Sequence, residues 1–220
     1  MSVFHVLIEA IDGAGKGTVI RGLTEHFANK ALPILRVCEP AHHSLGSIIR
    51  DELIKKHADG RTYPGKMIAE AYAIDRAILF NTSILPFKLA NPRGIILQDR
   101  GLFSSLTYQP LQDPTLGSDF LLSLEGNQLE LNNPPTVLLI LNLSPETAAQ
   151  RLAGRTEKND QSVFEEGSFQ DKLINRYQDE DLRKIYKNKG VTVIDINAEQ
   201  TPEKVLSDAI NILEPLFCSL

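Results

Sequence analysis

Residues 7–18, with the sequence LIEAIDGAGKGT, decide the fold of this chain. An apolar run leads into a turn of small residues that ends at Lys16, and a segment suited to a helix, residues 19–29, follows. Glycines in such a turn let successive backbone N–H groups point into one concavity, where they, the helix N-terminus and a lysine ammonium bind phosphates. The stretch predicts a phosphate-binding loop between the first strand and the first helix. The alternative is a chance glycine-rich turn.

The loop departs from the common pattern G-x-x-x-x-G-K-[ST] at two positions. Ala10 stands at the first glycine position, and Gly17 stands where most such loops have the hydroxyl that faces Mg²⁺, with Thr18 one residue later. The resulting form, G-x-G-K-G-T, resembles the loop of nucleoside monophosphate kinases. We therefore expect this turn to bind the phosphates of ATP.

The composition limits the classes of partner. A chain of 220 residues, 42% of them hydrophobic, suits one α/β domain over residues 1–220. The net charge of −5 does not favour nucleic acid or an anionic membrane as partners, and no apolar run approaches the roughly 20 residues that span a bilayer. Two cysteines, Cys38 and Cys218, suit a reducing compartment, and no secretory signal is visible. We expect a cytoplasmic protein that binds small molecules.

Short apolar runs alternate with amphipathic segments along the chain, which is typical of a parallel sheet with helical crossovers. We predict an α/β protein of the P-loop NTPase fold, with a five-stranded parallel sheet, helices on both faces and a lid segment. Ligands bind such sheets at the carboxyl ends of the strands. The predicted strands are 3–9, 33–38, 94–98, 136–142 and 191–196, and the predicted helices are 16–30, 44–57, 66–88, 118–130, 144–153, 169–188 and 202–215.

A long polar segment, residues 154–168, lies between two predicted helices. Because it is too long for a simple connector, it predicts a lid over roughly residues 151–168 that closes over the phosphates and excludes water. The alternative is a solvated surface loop. Arg151 and Arg155 belong to this region, and their alternative is a solvated helix end.

An acid and a base, Asp99 and Arg100, end the apolar run that starts at Ile95. Beside a phosphate-binding loop, such an acid is positioned to hold Mg²⁺ and such an arginine to reach a phosphate. A structural ion pair is the alternative. The pair His42-His43 resembles a metal site, but no third ligand lies near it in sequence, which favours a solvated loop.

The residues that follow Asp99 resemble a family signature. Residues 99–109, DRGLFSSLTYQ, look like the D-R-Y/H-x-x-S-S-x-A-Y-Q signature of thymidylate kinases. Further family motifs occur in the expected order along nearly the whole chain. The family motifs and their counterparts here are E-G-x-D-G-x-G-K, nearly matched by EAIDGAGK at residues 9–16, R-E-P by CEP at 38–40, G-x-x-I-R by GSIIR at 46–50, F-x-x-D-R by YAIDR at 72–76 and L-D-V-S-P-E by LNLSPE at 141–146.

The resemblance implies an enzyme that transfers a phosphoryl group from ATP to dTMP with Mg²⁺ as cofactor, and a homodimer. One alternative is a kinase of another nucleotide or nucleoside, because acceptor choice rests on a few pocket residues. Another is a nucleotide-binding relative without catalysis. The chain has no N-K-x-D motif for guanine, which argues against a GTPase.

The resemblance also assigns roles to individual residues. Tyr72 would stack on thymine, Arg76 and Ser105 would read the base, and Tyr108 would crowd the sugar at C2′ and favour deoxyribose. The alternative for Tyr72 is a core aromatic. The catalytic set is Lys16, Arg100, Asp12 and Arg155. The ATP-binding set is Asp12, Gly13, Ala14, Gly15, Lys16, Gly17, Thr18 and Arg151. The dTMP-binding set is Asp12, Glu39, Pro40, Arg50, Tyr72, Arg76, Arg100, Ser104, Ser105 and Tyr108, and the metal set is Asp99, Asp12 and Thr18.

Four positions depart from the family pattern. Cys38 replaces the arginine of R-E-P, Gly101 replaces an aromatic residue or histidine, Asn142 replaces an aspartate, and Gln161 stands at a lid site that usually holds an arginine. Loss of the arginine removes one charge-assisted contact to the acceptor phosphate, worth about 1.5–3 kcal/mol. We expect these departures to affect acceptor binding first.

Overall fold

A computed structural model describes residues 3–153 and 167–219, with the backbone only at residues 167 and 168. Five parallel strands form the sheet in the order β2-β3-β1-β4-β5. Each lies within one residue of its predicted bounds, so the predicted α/β fold with a five-stranded parallel sheet is confirmed. The strands are β1 (Phe4–Glu9), β2 (Ile34–Cys38), β3 (Ile95–Asp99), β4 (Val137–Asn142) and β5 (Thr192–Asn197).

The central strand β1 is buried along its whole length. A strand of a parallel sheet that is covered on both faces is expected to be continuously apolar, and β1 follows that rule except at His5 and Glu9. In the register of the sheet, Ile8 lies beside Asp99 of β3 and Glu9 beside Ile140 of β4. The carboxyl ends of these three strands therefore meet at one edge, where the phosphate-binding turn also begins.

Helices surround the sheet, and they pack through aromatic side chains. The ring of Phe217 lies 5.8 Å from the rings of both Phe4 and Phe27, and Phe103 lies 5.6 Å from Tyr177. The helices are α1 (Lys16–Ala28), α2 (Leu45–Ile48), α3 (Gly65–Leu79), α4 (Leu85–Ala90), α5 (Leu102–Gln112), α6 (Ser118–Ser123), α7 (Glu125–Asn132), α8 (Pro145–Ala153), α9 (Gly167–Tyr177), α10 (Glu180–Lys187) and α11 (Pro202–Cys218), with π-helical turns at Ile49–Leu53 and Phe80–Ile84. Among the described residues, none of these helices combines the length and apolar character needed to cross a membrane.

Several predicted helices are interrupted. The predicted helix 118–130 is two helices, because Leu124 is extended with ψ of 134°. The predicted helix 169–188 also breaks, where Asp179 caps α10 by accepting a hydrogen bond from the backbone N–H of Asp181 at 2.9 Å. The predicted helices 44–57 and 66–88 each contain a π-helical turn, and the first ends at Leu53.

Helix α5 was not predicted, although it carries much of the family signature. Its sequence contains Pro110 and two adjacent serines, which lower helix propensity. Its first N–H groups are satisfied by carboxylates from other elements: Glu9 accepts from Gly101 and Ser104, and Glu130 accepts from Leu102. Local sequence does not reveal such capping, because the caps come from residues distant in sequence.

Candidate active site

The turn between β1 and α1 has the conformation that the sequence predicts. Gly13 and Gly15 have φ of +89° and +85°, a region that disfavours residues with a side chain. A Cβ atom at Gly13 would also lie only 2.8 Å from the carbonyl oxygen of Ala148. Lys16 begins α1, so the free N–H groups of that helix start at the turn. These are the elements of an anion-binding loop.

Lys16 places its ammonium inside this loop. The side chain is only 9% exposed, and Nζ lies 3.4 Å from the carbonyl oxygen of Ala10 and 3.9 Å from Oδ1 of Asp12. Burial, followed by the charge of Arg100, lowers the pKa of Lys16. A phosphate in the loop would stabilise the charged ammonium and raise that pKa again. The environment of Lys16 therefore favours binding of an anion.

Arg100 faces the same carboxylate from the other side. Its Nη2 donates to Oδ1 of Asp12 at 2.6 Å, and its Nη1 donates to the hydroxyls of Ser104 at 3.2 Å and Tyr108 at 3.1 Å. Arg100 has φ of +67°, a conformation that costs a residue with a side chain about 1–3 kcal/mol. The structure thus brings together four predicted site residues and holds one of them in a strained conformation.

Arg76 lies at the centre of a buried polar network. It is 3% exposed and donates to Glu39 twice, from Nε at 3.1 Å and from Nη2 at 2.5 Å. It also donates to Asn127 and, at 3.1 Å, to the hydroxyl of Ser105. Glu130 adds a second carboxylate 3.4 Å from its Nε. Burial raises the pKa of Glu39 to about 8. A contact between Arg76 and a base stays a prediction, because these donors already bind protein groups.

Arg50 stands beside Cys38, where the family pattern has another arginine. It donates to the backbone carbonyls of Pro40 and Ala41, and its Nη2 lies 3.7 Å from Sγ of Cys38. Burial raises the pKa of the Cys38 thiol. A neutral thiol at Cys38 adds no charge of its own beside the Arg50 guanidinium. Tyr72, on α3, is half-buried near these charges, and burial raises its pKa to about 12.

The departure at Gly101 has a steric reason. A Cβ atom at this position would lie 2.8 Å from Oε2 of Glu130 and 3.0 Å from Nε2 of Gln98. Glu130 therefore occupies the space that a side chain at position 101 would need. Its carboxylate accepts from the backbone N–H of Leu102 at 3.0 Å and from the hydroxyl of Tyr186 at 2.6 Å. Gly101 and Glu130 fit each other as a pair.

Asp99 ends β3 with an unpaired carboxylate oxygen. Oδ1 of Asp99 is buried without a hydrogen-bond partner among the described residues, and the charge of Asp99 acts on Lys16. A carboxylate oxygen is the ligand type that Mg²⁺ prefers, so this residue fits the predicted metal set. Within residues 3–153 and 167–219, no three His, Cys, Asp or Glu side chains form a cluster that could hold a metal. His42 and His43 are both exposed, as expected for a solvated loop.

The remaining predicted residues lie at the edge of the site or outside the described residues. Nη2 of Arg151 donates to the backbone carbonyl of Gln200 at 3.1 Å, and Thr18 is exposed in the first turn of α1. Asn142 donates to Asp195 at 2.7 Å. Arg155, Gln161 and the lid, apart from its first and last residues, lie outside the described part of the chain, so these predictions are not tested.

Sequence reasoning missed two residues of this site. Glu9, fully buried at the end of β1, accepts hydrogen bonds from Gly101, Ser104 and Tyr177. Gln109 is 3% exposed, yet neither atom of its amide has a hydrogen-bond partner within the described residues. It follows Ser105 by one helical turn, so both side chains lie on one face of α5. A glutamine after the tyrosine of the signature was the available signal for Gln109.

Comparison with known proteins agrees with this geometry. A family model described as thymidylate kinase matches residues 8–209. A "Probable thymidylate kinase" from Methanosphaera stadtmanae is 29% identical over 94% of this chain and 94% of its own length. Thymidylate kinases from Leptospira interrogans and Finegoldia magna are 30% and 26% identical over 79% and 95% of this chain, and over 79% and 97% of their own lengths. The resemblance seen in the sequence motifs is confirmed, and the chain belongs to the thymidylate kinase family.

Proposed function

We propose that this protein phosphorylates dTMP with ATP, giving dTDP and ADP. One observation carries the proposal beyond family membership. Oδ1 of Asp12 lies 3.9 Å from the ammonium of Lys16 and 2.6 Å from the guanidinium of Arg100. A cation suited to the donor phosphates and a cation suited to the acceptor phosphate therefore flank one point. Phosphoryl transfer needs this arrangement, since it depends on aligning the two phosphates and neutralising their charge.

On the donor side, Lys16 and residues 13–18 would bind the phosphates of ATP. The backbone N–H groups of the turn supply dipoles that are already oriented, so little reorganisation is needed during transfer. Arg151 and Arg155 are the proposed lid cations. Phosphates entering the turn would compete with Asp12 for Lys16 and Arg100 and would draw both cations toward the transferred group.

Mg²⁺ is the proposed cofactor. When bound with ATP, it would neutralise charge on the β- and γ-phosphates. Asp99 would hold it through the carboxylate oxygen that has no partner among the described residues. Asp12 and Thr18, at the mouth of the turn, complete the proposed metal set.

On the acceptor side, we assign dTMP to the space between α3 and α5. Arg50 and Arg100 would bind its phosphate, with Glu39 and Pro40 forming the adjoining wall. Tyr72 would stack on the base, and Ser104, Ser105 and Arg76 would lie along its polar edge. Arg76 would then act largely by holding Ser105, to whose hydroxyl it donates.

Truncation of Tyr108 should relax the choice of sugar. Its ring lies under the Arg100 guanidinium, with 5.1 Å between the guanidinium carbon and the ring centroid. In Tyr108→Ala, we expect the preference for dTMP over ribo-TMP, measured as a ratio of kcat/KM values, to fall about tenfold. Tyr63→Ala, on a tyrosine whose hydroxyl bonds Glu52, serves as the control and should keep the ratio. An unchanged ratio in Tyr108→Ala would contradict the assigned role.

Gln109 is a proposed base-reading residue. A buried amide that offers a donor and an acceptor complements the imide edge of a pyrimidine, and neither amide atom of Gln109 has a partner within residues 3–153 and 167–219. In Gln109→Leu, we expect the KM for dTMP to rise about tenfold, with the KM for ATP unchanged, because one or two hydrogen bonds to the base are lost. Gln112→Leu on the same helix is the control. A KM for dTMP within about twofold of the unmutated value would contradict a contact between Gln109 and the base.

We further propose that the chain acts as one catalytic domain over residues 1–220, as a homodimer and in the cytoplasm. Exposed Met67 and Ile74 on α3, 45% and 55% accessible, support association with a second copy. A groove of about 590 Å³ between α3 and α7, lined by Ile74, Ile78 and Leu129, adjoins them. Two free cysteines suit a reducing cytoplasm. Sedimentation measures the molar mass in solution, and a homodimer should have twice the mass of one chain.

A panel of acceptors tests the proposed activity. ADP release is measured with dTMP, UMP, AMP and GMP at saturating ATP. The proposal predicts the highest kcat/KM for dTMP. A higher value for UMP or for a purine nucleotide would favour a kinase of another nucleotide, and no ADP release with any acceptor would favour a relative without catalysis.

A further inference from the structure

The buried carboxylate of Glu9 touches the turn that carries Arg100. We propose that Glu9 is a positioning residue for phosphoryl transfer, which holds the Arg100 guanidinium in place through the turn at residues 100–104. The inference rests on the proposed function. Glu9 itself is 0% exposed, so it does not contact a substrate and is not a catalytic residue.

Four donors converge on this carboxylate. Oε1 of Glu9 accepts from the backbone N–H groups of Gly101 at 2.9 Å and Ser104 at 3.0 Å. Oε2 accepts from the Ser104 hydroxyl at 2.6 Å and the Tyr177 hydroxyl at 3.0 Å. One side chain thus holds Gly101, which follows Arg100, and Ser104, in the first turn of α5. Such a cap both orders the helix start and fixes the chain that leads into it.

Arg100 needs this support because its backbone is held in an uncommon conformation. Its φ of +67° lies in the left-handed region, which residues with a Cβ atom adopt only when their surroundings impose it. The backbone N–H of Arg100 donates to the carbonyl of Ile8 at 3.1 Å, immediately before Glu9. The end of β1 therefore fixes both the backbone of Arg100 and the residues that follow it.

The connection also reaches the guanidinium. Nη1 of Arg100 donates to the hydroxyl of Ser104 at 3.2 Å, and the same hydroxyl bonds Glu9. Asp12, whose side chain is 37% exposed, accepts from Nη2, and a substrate phosphate would compete with it there. The hydroxyl of Tyr108, which is buried, contacts Nη1 beside Ser104. Glu9 is fully buried and Ser104 is half-buried, so a phosphate that displaces Asp12 need not displace the contact between Glu9 and Ser104. Arg100 would then keep its position during transfer, which is when its charge is needed.

The length and the charge of the Glu9 side chain can be tested separately. Glu9→Gln keeps the reach of the side chain: its amide oxygen can accept from the two backbone N–H groups, and its NH₂ can donate to two hydroxyls that reverse their roles. Glu9→Asp keeps the charge but withdraws both oxygens by the length of one C–C bond. If Glu9 positions Arg100, kcat should be higher in Glu9→Gln than in Glu9→Asp. If the negative charge of Glu9 matters instead, kcat should be higher in Glu9→Asp than in Glu9→Gln.

The test measures kcat and both KM values for Glu9→Gln and Glu9→Asp, each alone and combined with Arg100→Ala, on the acceptor that the unmutated protein turns over best. We expect kcat within about threefold of the unmutated value for Gln and at least about tenfold lower for Asp, with the KM for ATP unchanged. In the Arg100→Ala background the Asp substitution should have no further effect on kcat.

Three results would overturn the proposal: Glu9→Asp with normal kcat, Glu9→Gln with a lower kcat than Glu9→Asp, or an effect of Glu9→Asp that persists undiminished without the Arg100 side chain. Should Glu9→Asp lack a folded circular dichroism spectrum, Ser104→Ala takes its place, since it removes the hydroxyl between Glu9 and Arg100. Because the same hydroxyl is assigned to the edge of dTMP, kcat is compared at saturating dTMP. Ser104→Ala should lower kcat about tenfold alone and have no effect beside Arg100→Ala, and additive losses would refute the inference. A poor turnover of dTMP by the unmutated protein contradicts the proposed function instead.

Discussion

Replacing Lys16 with alanine is expected to lower kcat by about a hundredfold or more while leaving the fold intact. The ammonium is buried beside Asp12 and lies within the turn that begins α1. Its attraction to phosphate oxygens is stronger when charge redistributes during transfer than in bound ATP, so its loss acts on the transition state. Steady-state kinetics at saturating ATP and dTMP gives kcat directly.

Lys30→Ala is the matched control for that experiment. Lys30 follows the opposite end of α1 and pairs with Glu214 at the surface, so its removal should leave kcat unchanged. Circular dichroism and the melting temperature establish that both variants are folded. A well-folded Lys16→Ala protein with normal kcat would contradict the assignment of this turn as a phosphate-binding loop.

Arg76→Ala is expected to destabilise the protein by about 3–5 kcal/mol, because it leaves two buried carboxylates without a counter-charge. Glu39 and Glu130 both contact this guanidinium, and the arginine and Glu39 side chains are each 3% exposed. For a chain of this size, a loss of that magnitude lowers the melting temperature by roughly 10 °C. The pKa of Glu39 is already raised to about 8, above that of an unfolded carboxyl, and loss of Arg76 should raise it further. Folding then takes up a proton, so lowering the pH from about 8 toward about 5 should restore part of the stability of the variant. Thermal unfolding followed by circular dichroism measures both effects.

Arg61 offers the matched control for burial. It also pairs with two carboxylates, Glu52 and Asp59, but all three side chains are more than one-third exposed. Exposed pairs of this kind contribute about 0–1 kcal/mol, so Arg61→Ala should barely shift the melting temperature. Equal shifts for the two variants would show that the Arg76 network is not the buried electrostatic centre described above.

The sequence was sufficient for the elements whose signals are local. The run before Gly13, the glycines and Lys16 predicted a strand, a turn and a helix, and all five strands lie within one residue of their predicted bounds. The apolar runs of β1, β3 and β4 have little freedom to be anything but strands of a doubly covered sheet, because their burial is nearly complete. The family signature then indicated which side chains share the carboxyl edge of the sheet.

The parts that sequence reasoning missed depend on contacts between distant residues. Helix α5 is capped by Glu9 and Glu130, which lie 92 and 28 residues away from the groups that they accept from. The fit of Gly101 against Glu130 joins two positions that no local pattern connects. The break at Leu124 lacked a glycine or proline as a local signal. The break at Asp179 did carry a local signal, an aspartate at the N-cap of α10, which the predicted single helix overlooked. Periodicity predicts that a helix exists better than it predicts where the helix stops.

A labelled γ-phosphoryl group shows whether this site transfers phosphate from ATP to dTMP. The protein is incubated with ATP labelled at the γ-phosphate and with dTMP, and the nucleotides are separated. We expect the label to appear in dTDP, in an amount equal to the ADP formed, and the rate of label transfer to fall by about a hundredfold or more in Lys16→Ala. Label released as inorganic phosphate without dTDP, or ATP left intact in the presence of dTMP, would contradict the assignment of this site to phosphoryl transfer onto thymidylate.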